Sequence, residues 1–81
     1  MNDFYKTTDM ALATVLSMNF PVRELINKNG RGTFLFDDTE ELEQFVEAFW
    51  NKRLTVEPTA LFEALKLIKN RLYNDVKKGE L

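Results

Sequence analysis

The pair Asn29-Gly30 constrains the fold more than any other feature of the chain. Asn-Gly is the preferred pair for the two central positions of a type I′ turn, because both must adopt positive φ. A two-residue turn there sets a register: Lys28 faces Arg31, Ile26 faces Thr33, Leu25 faces Phe34, Glu24 faces Leu35 and Arg23 faces Phe36. Leu25, Phe34 and Phe36 then share one face, which is the expected core side of an antiparallel hairpin. Gly32 leaves a bulge or a longer loop open as an alternative.

Helical signals flank this hairpin. Thr8 is placed to cap a helix over residues 9–19, with Asp9 in its first turn complementing the helix dipole. Its apolar positions cover nearly the whole circumference, with only Thr14 and Ser17 marking a polar side, and Pro21 stops it. A second helix over residues 40–53 opens on Asp38, with Glu41 three residues on in the manner of a capping box. Leu42, Phe45, Val46, Phe49 and Trp50 form its apolar stripe. A third helix starts with Pro58 in its first turn, runs to about residue 77 and stops at Gly79. Its stripe is Leu61, Phe62, Leu65, Ile68, Leu72 and Val76, with Tyr73 at the margin. Phe4-Tyr5 offers a short edge strand, and residues 54–56 read as either an extended connector or a third strand. The expected fold is therefore one small α+β domain over residues 1–81, structured from about 8 to 77. Its expected order is α-β-β-α-α, with an antiparallel β-hairpin packed against three helices. Leu12, Leu16, Leu25, Phe34, Phe36, Phe45, Phe49, Leu65 and Leu72 are its expected core.

Eighty-one residues allow one domain, and a chain of this size has little apolar surface to spare. The chain has neither Cys nor His, which removes disulfides, thiolate chemistry, Cys/His zinc sites and Ser–His or Cys–His nucleophilic pairs. No Gly-rich phosphate loop followed by Lys-Ser/Thr is present. The acids Asp37, Asp38, Glu40, Glu41, Glu43 and Glu47 read as helix capping and a solvated face. A cation site needs carboxylates that converge from separate elements. The chain reads as non-enzymatic, with no cofactor and no metal. The longest uncharged run near the N-terminus, residues 10–22, falls short of the roughly 20 residues that cross a bilayer. A cytoplasmic protein without membrane contact is expected.

Two candidate surfaces remain. Net charge is −2, but residues 1–51 hold four bases against nine acids and residues 52–81 hold seven bases against four acids. Lys52, Arg53, Lys66, Lys69, Asn70 and Lys77 are the candidate anion or nucleic-acid surface, with Trp50 and Tyr73 as neighbouring aromatics that read first as core. Lys69 falls inside the apolar stripe of its helix, so it either snorkels from the core edge or meets an anion. Met10, Met18 and Leu67 are the candidate interaction surface. The first helix is either sandwiched between the hairpin and the last helix or partly covered by a second subunit. A protein partner or a homodimer is expected, with nucleic acid as the alternative.

Thr7-Thr8-Asp9 with Leu12-Ala13, the run Gly32-Thr33-Phe34-Leu35-Phe36, Phe49-Trp50-Asn51 with Leu54, Val56 and Pro58, and Leu67-Ile68-Lys69 with Leu72-Tyr73 together carry a resemblance. Over about residues 7–73 the chain resembles a family of short uncharacterised bacterial and phage proteins classed as a domain of unknown function. The resemblance implies a free-standing small module and assigns no catalytic or binding residue. Against its pattern, Glu57 stands before Pro58 where Asp is expected as the capping residue.

Overall fold

The computed structural model describes residues 3–28 and 31–79, with side chains described as far as residue 74. The elements are β1 (Phe4–Thr7), α1 (Met10–Ser17), β2 (Glu24–Lys28), β3 (Arg31–Asp37), α2 (Glu40–Trp50) and α3 (Pro58–Gly79). The α+β class stands, and the order is corrected to β-α-β-β-α-α. The expected α-β-β-α-α left out β1, although the short edge strand offered at Phe4-Tyr5 is there, because four residues of alternating exposure carry little periodicity of their own. What makes them a strand is the free edge of β3.

The three strands form one antiparallel sheet in the order β1-β3-β2. The hairpin register is the expected one: Glu24 faces Leu35, Leu25 faces Phe34, Ile26 faces Thr33 and Lys28 faces Arg31. The turn residues Asn29 and Gly30 lie outside the described residues. β2 begins at Glu24, so Arg23 precedes the ladder, although its N–H still donates to the Leu35 carbonyl at 2.8 Å. Its side chain instead reaches Asp37 at 2.9 Å across the exposed edge.

Gly32 pairs with Asn27 in regular register, so neither bulge nor longer loop forms there. The glycine serves a close approach. A Cβ at position 32 would lie 2.6 Å from Leu72 Cδ1 and 3.1 Å from Leu25 Cδ1. Leu72 of α3 therefore rests directly on the backbone of β3.

Both capping predictions move by one residue, for the same reason. Asp9 rather than Thr8 caps α1, accepting from the Leu12 N–H at 2.9 Å, while Thr7 Oγ1 accepts from the Asp9 N–H. Thr39 rather than Asp38 caps α2, accepting from the Leu42 N–H at 3.1 Å. In each case a strand holds the preceding residues: β1 runs to Thr7, and the Asp38 N–H is bonded to the Asp3 carbonyl beyond the end of β1. The helix then opens on the next residue with a suitable side chain.

α1 is the centre of the helical layer, packing against α2, α3 and β1. Five consecutive residues, 12–16, are buried, and Thr14 is among them. Its hydroxyl donates to the Met10 carbonyl at 2.7 Å, which lets a polar residue enter the core without an orphaned group. The polar side expected at Thr14 thus does not exist. Residues 12–16 are buried because α1 packs against β1, α2 and α3, while Ala11 stays exposed and Met10 half-buried. Leu12, Leu16, Leu25, Phe34 and Phe36 are buried as expected, joined by Leu42 and Ile68. Phe45, Phe49, Leu65 and Leu72 are only half-buried. Residues 51–57 connect α2 to α3 without strand structure.

Candidate interaction surface

The outer side of the helical layer carries an apolar groove of about 420 Å³. Its floor is α1, through Met10, Ala11, Thr14 and Val15. Phe49 of α2 forms one wall, and Leu61, Phe62 and Leu65 of α3 form the other. Phe49 meets Trp50 edge to face at 5.0 Å, so the α2 wall ends in an aromatic pair. Trp50 is 58% exposed and Phe62 is 65% exposed, which corrects their placement in the core.

The reason lies in what α3 has beneath it. Ile68 is its one buried residue among those with described side chains, and Leu72 lies over Gly32. The buried arc of the helix centres on these two positions, and Phe62 lies about 100° round from it. Tyr73, 60% exposed, falls beside Phe62 on the same flank. Lys66 and Lys69 complete the stripe, so Phe62, Lys66, Lys69 and Tyr73 recur at intervals of four, three and four on one outer face. The two lysines beside Phe62 were the sequence signal that this flank faces water. Lys69 itself is exposed, outside the packed seam in which the apolar stripe placed it.

α2 presents a complementary stripe. Glu43 and Glu47 precede Trp50 by seven and three residues, and all three are exposed. The Glu43 carboxyl is held above its ordinary range, first by a side-chain hydrogen bond with Asp38 and then by the Asp38 charge. Glu47 lies 3.8 Å from Arg53, a loose and exposed pair.

The remaining predicted residues do not converge. α2 ends in a Schellman motif: the Lys52 N–H donates to the Phe49 carbonyl at 3.1 Å and the Arg53 N–H to the Ala48 carbonyl at 2.9 Å. Lys52 occupies the left-handed position with φ 59°. Lys52 and Arg53 thus belong to the turn after α2. Lys66 and Lys69 share a stripe, Asn70 is exposed one turn on from Lys66 at its margin, and the Lys77 side chain lies outside the described residues. Glu57 caps α3 with both oxygens, accepting from the Thr59 N–H at 3.0 Å and the Ala60 N–H at 2.9 Å. Those hydrogen bonds hold its carboxyl below the ordinary range. The longer side chain therefore does what Asp was expected to do.

A second groove, of about 380 Å³, opens on the other flank of α3. Met18 and Leu67 meet there, so two of the three predicted interaction residues come together; Met10 belongs to the first groove. Leu67 is 70% exposed beside Glu63 and Arg71, which makes this groove the more polar of the two. Among the described residues, no three acidic side chains gather where a metal ion could sit, and no helix is long and apolar enough to cross a membrane.

Comparison with protein-family models matches residues 2–74 to a family described as a domain of unknown function, DUF5659. Comparison with curated proteins finds no match, and comparison with solved structures finds none.

Proposed function

We propose that this chain, which belongs to the DUF5659 family, is a non-enzymatic protein-interaction module that acts as a homodimer, with a second copy covering the apolar groove floored by α1. One observation carries the reading. The chain exposes 6094 Å² for a mass of 9.5 kDa, whereas a compact monomer of that mass exposes about 5,000 Å². The excess of about 1,000 Å² is of the order of the roughly 800 Å² that each partner buries in a stable interface. The shape agrees. The radius of gyration is 13.0 Å, against about 12 Å expected for this length. The molecule is a slab 41 × 36 × 17 Å, one layer of sheet under one layer of helices. A second copy laid on the helical face would give the half-buried side chains of α1, α2 and α3 the outer layer they lack.

Trp50 is the only tryptophan and stands at the rim of this groove, so it reports the contact. The expected result is an emission that moves to shorter wavelength as protein concentration rises. Phe62→Glu should abolish that shift while leaving the helical content unchanged, since Phe62 is exposed in the single chain. Emission independent of concentration in the unmodified protein would overturn the reading.

A second reading has one observation in its favour. Trp50 and Tyr73, which the sequence places first in the core, are exposed, and Lys66 and Lys69 lie on the same stripe as Tyr73. Lysines interleaved with aromatics suit single-stranded nucleic acid, through phosphate contact and base stacking. That reading requires salt-sensitive binding lost in Lys66→Glu/Lys69→Glu. The absence of a mobility shift at low salt would end it. The net charge of −2 and the acidic face of α2 oppose it, and the homodimer leads.

A further inference from the structure

We infer that the second copy docks with a defined polarity: a two-fold axis along the groove lays the acidic α2 stripe (Glu43, Glu47, Trp50) of each chain over the basic α3 stripe (Phe62, Lys66, Lys69) of the other. The inference rests on the homodimer reading and deepens it by naming the paired surfaces.

The C-terminal end of α2 and the N-terminal half of α3 meet at the groove, since Phe49 lines one side and Leu61 and Phe62 the other. The stripes run away from that meeting point, Glu47 and Glu43 along α2, Lys66 and Lys69 along α3. Each wall thus carries an aromatic at the groove and charge of a single sign beyond it. All four charged side chains are exposed; among the described residues neither lysine forms an ion pair, and Glu47 has only the loose pair with Arg53 at 3.8 Å.

Two identical grooved faces can close on each other about an axis that runs along the groove or across it. An axis across the groove sets α2 on α2 and α3 on α3, which opposes four carboxylates to one another and four ammonium groups to one another. An axis along the groove sets α2 on the other copy's α3 at both walls. Symmetry then makes the favourable pairing occur twice, because in a two-fold contact each surface meets its complement on both sides. The apolar floors close in the middle, and the charges lie at the rim, where they select orientation more than they add affinity. Like charges brought together at such an interface are strongly disfavoured, so the rim excludes the other axis.

The test uses two full-length variants at exposed positions. Lys66→Glu/Lys69→Glu makes both stripes acidic, and Glu43→Lys/Glu47→Lys makes both basic. Light scattering after gel filtration should find each variant alone monomeric at concentrations where the unmodified protein is dimeric. An equimolar mixture should recover the dimer as a one-to-one pair, which shows that both variants remain folded and competent to pair, while the loss in each variant alone is the result that reads the polarity. Dissociation constants for the separate variants should be at least tenfold weaker than for the unmodified dimer. If each variant dimerises as well as the unmodified protein, or if the mixture stays monomeric, the assigned polarity is wrong while the homodimer stands. An unmodified protein that never dimerises would overturn the homodimer and the polarity together.

Discussion

Single residues in this chain are placed by what the neighbouring backbone requires. Lys52 takes the left-handed conformation at the end of α2, where glycine is the usual occupant. For a residue with a Cβ that conformation costs about 1–2 kcal/mol, of which glycine's greater freedom when unfolded would return about 0.5–1. Lys52→Gly should therefore raise stability by roughly 0.5–1 kcal/mol, measured by urea unfolding. No gain would mean that Lys52 makes a compensating contact. Gly32 shows the other use of the residue, since its backbone conformation is ordinary and its missing Cβ admits Leu72. The sequence made Gly32 visible as a break in the strand pattern, but Leu72 lies forty residues on, and no local rule joins them.

Elements were legible to the degree that their causes are local. The hairpin register follows from Asn29-Gly30 and from the alternation around it, and it holds at four of the five expected cross-strand pairs. The three helices follow from periodicity; α1 ends at Ser17, two residues before the expected end, and the stop expected at Gly79 falls at the edge of the described residues. β1 was faint because its existence depends on pairing with β3, twenty-seven or more residues away. The helix starts shifted by one residue because strand pairing holds Thr7 and Asp38, a tertiary demand that capping preferences do not contain. Trp50, Phe62 and Tyr73 were misplaced because a helical stripe gives the direction of a core and not its extent. Over its N-terminal half, α3 has α1 beneath it and no sheet. Glu57 at the start of α3 gives a test at this scale. Its carboxyl is lowered by the two N–H groups it caps, so its contribution is present above the ordinary carboxyl value of 4.5 and is lost as pH falls through its own, lower value. Glu43 is raised, so its contribution runs the opposite way, full below that value and lost as pH climbs. Glu57→Ala should therefore destabilise the protein at neutral pH, and the difference from the unmodified protein should shrink on acidification below about 4.5. Thermal melts at a series of pH values measure this, and a difference that is constant with pH would remove Glu57 as a charged cap.

At the scale of the whole molecule, the chain builds two layers and leaves the outer one open. The sheet's inner face, Leu25, Phe34 and Phe36, is fully covered by α1 and its neighbours. The helices have no such cover: among the described residues, Trp50, Phe62, Leu67 and Tyr73 are the large side chains left outside. The surplus of apolar residues in the first helix, visible in the sequence, is largely absorbed by α1's central position, with Met10 and Ala11 left at the groove. The surplus that remains is on α2 and α3, where periodicity had assigned it to the core. Small domains commonly complete a thin core by association, and in the proposed homodimer the charge division between the acidic first part of the chain and the basic last part would supply the orientation. The direct measurement is sedimentation velocity of the unmodified protein from micromolar to millimolar concentration at low salt. The account predicts a concentration-dependent passage to a species of twice 9.5 kDa, reversed on dilution and weakened by salt. A single 9.5 kDa species over the whole range would contradict it.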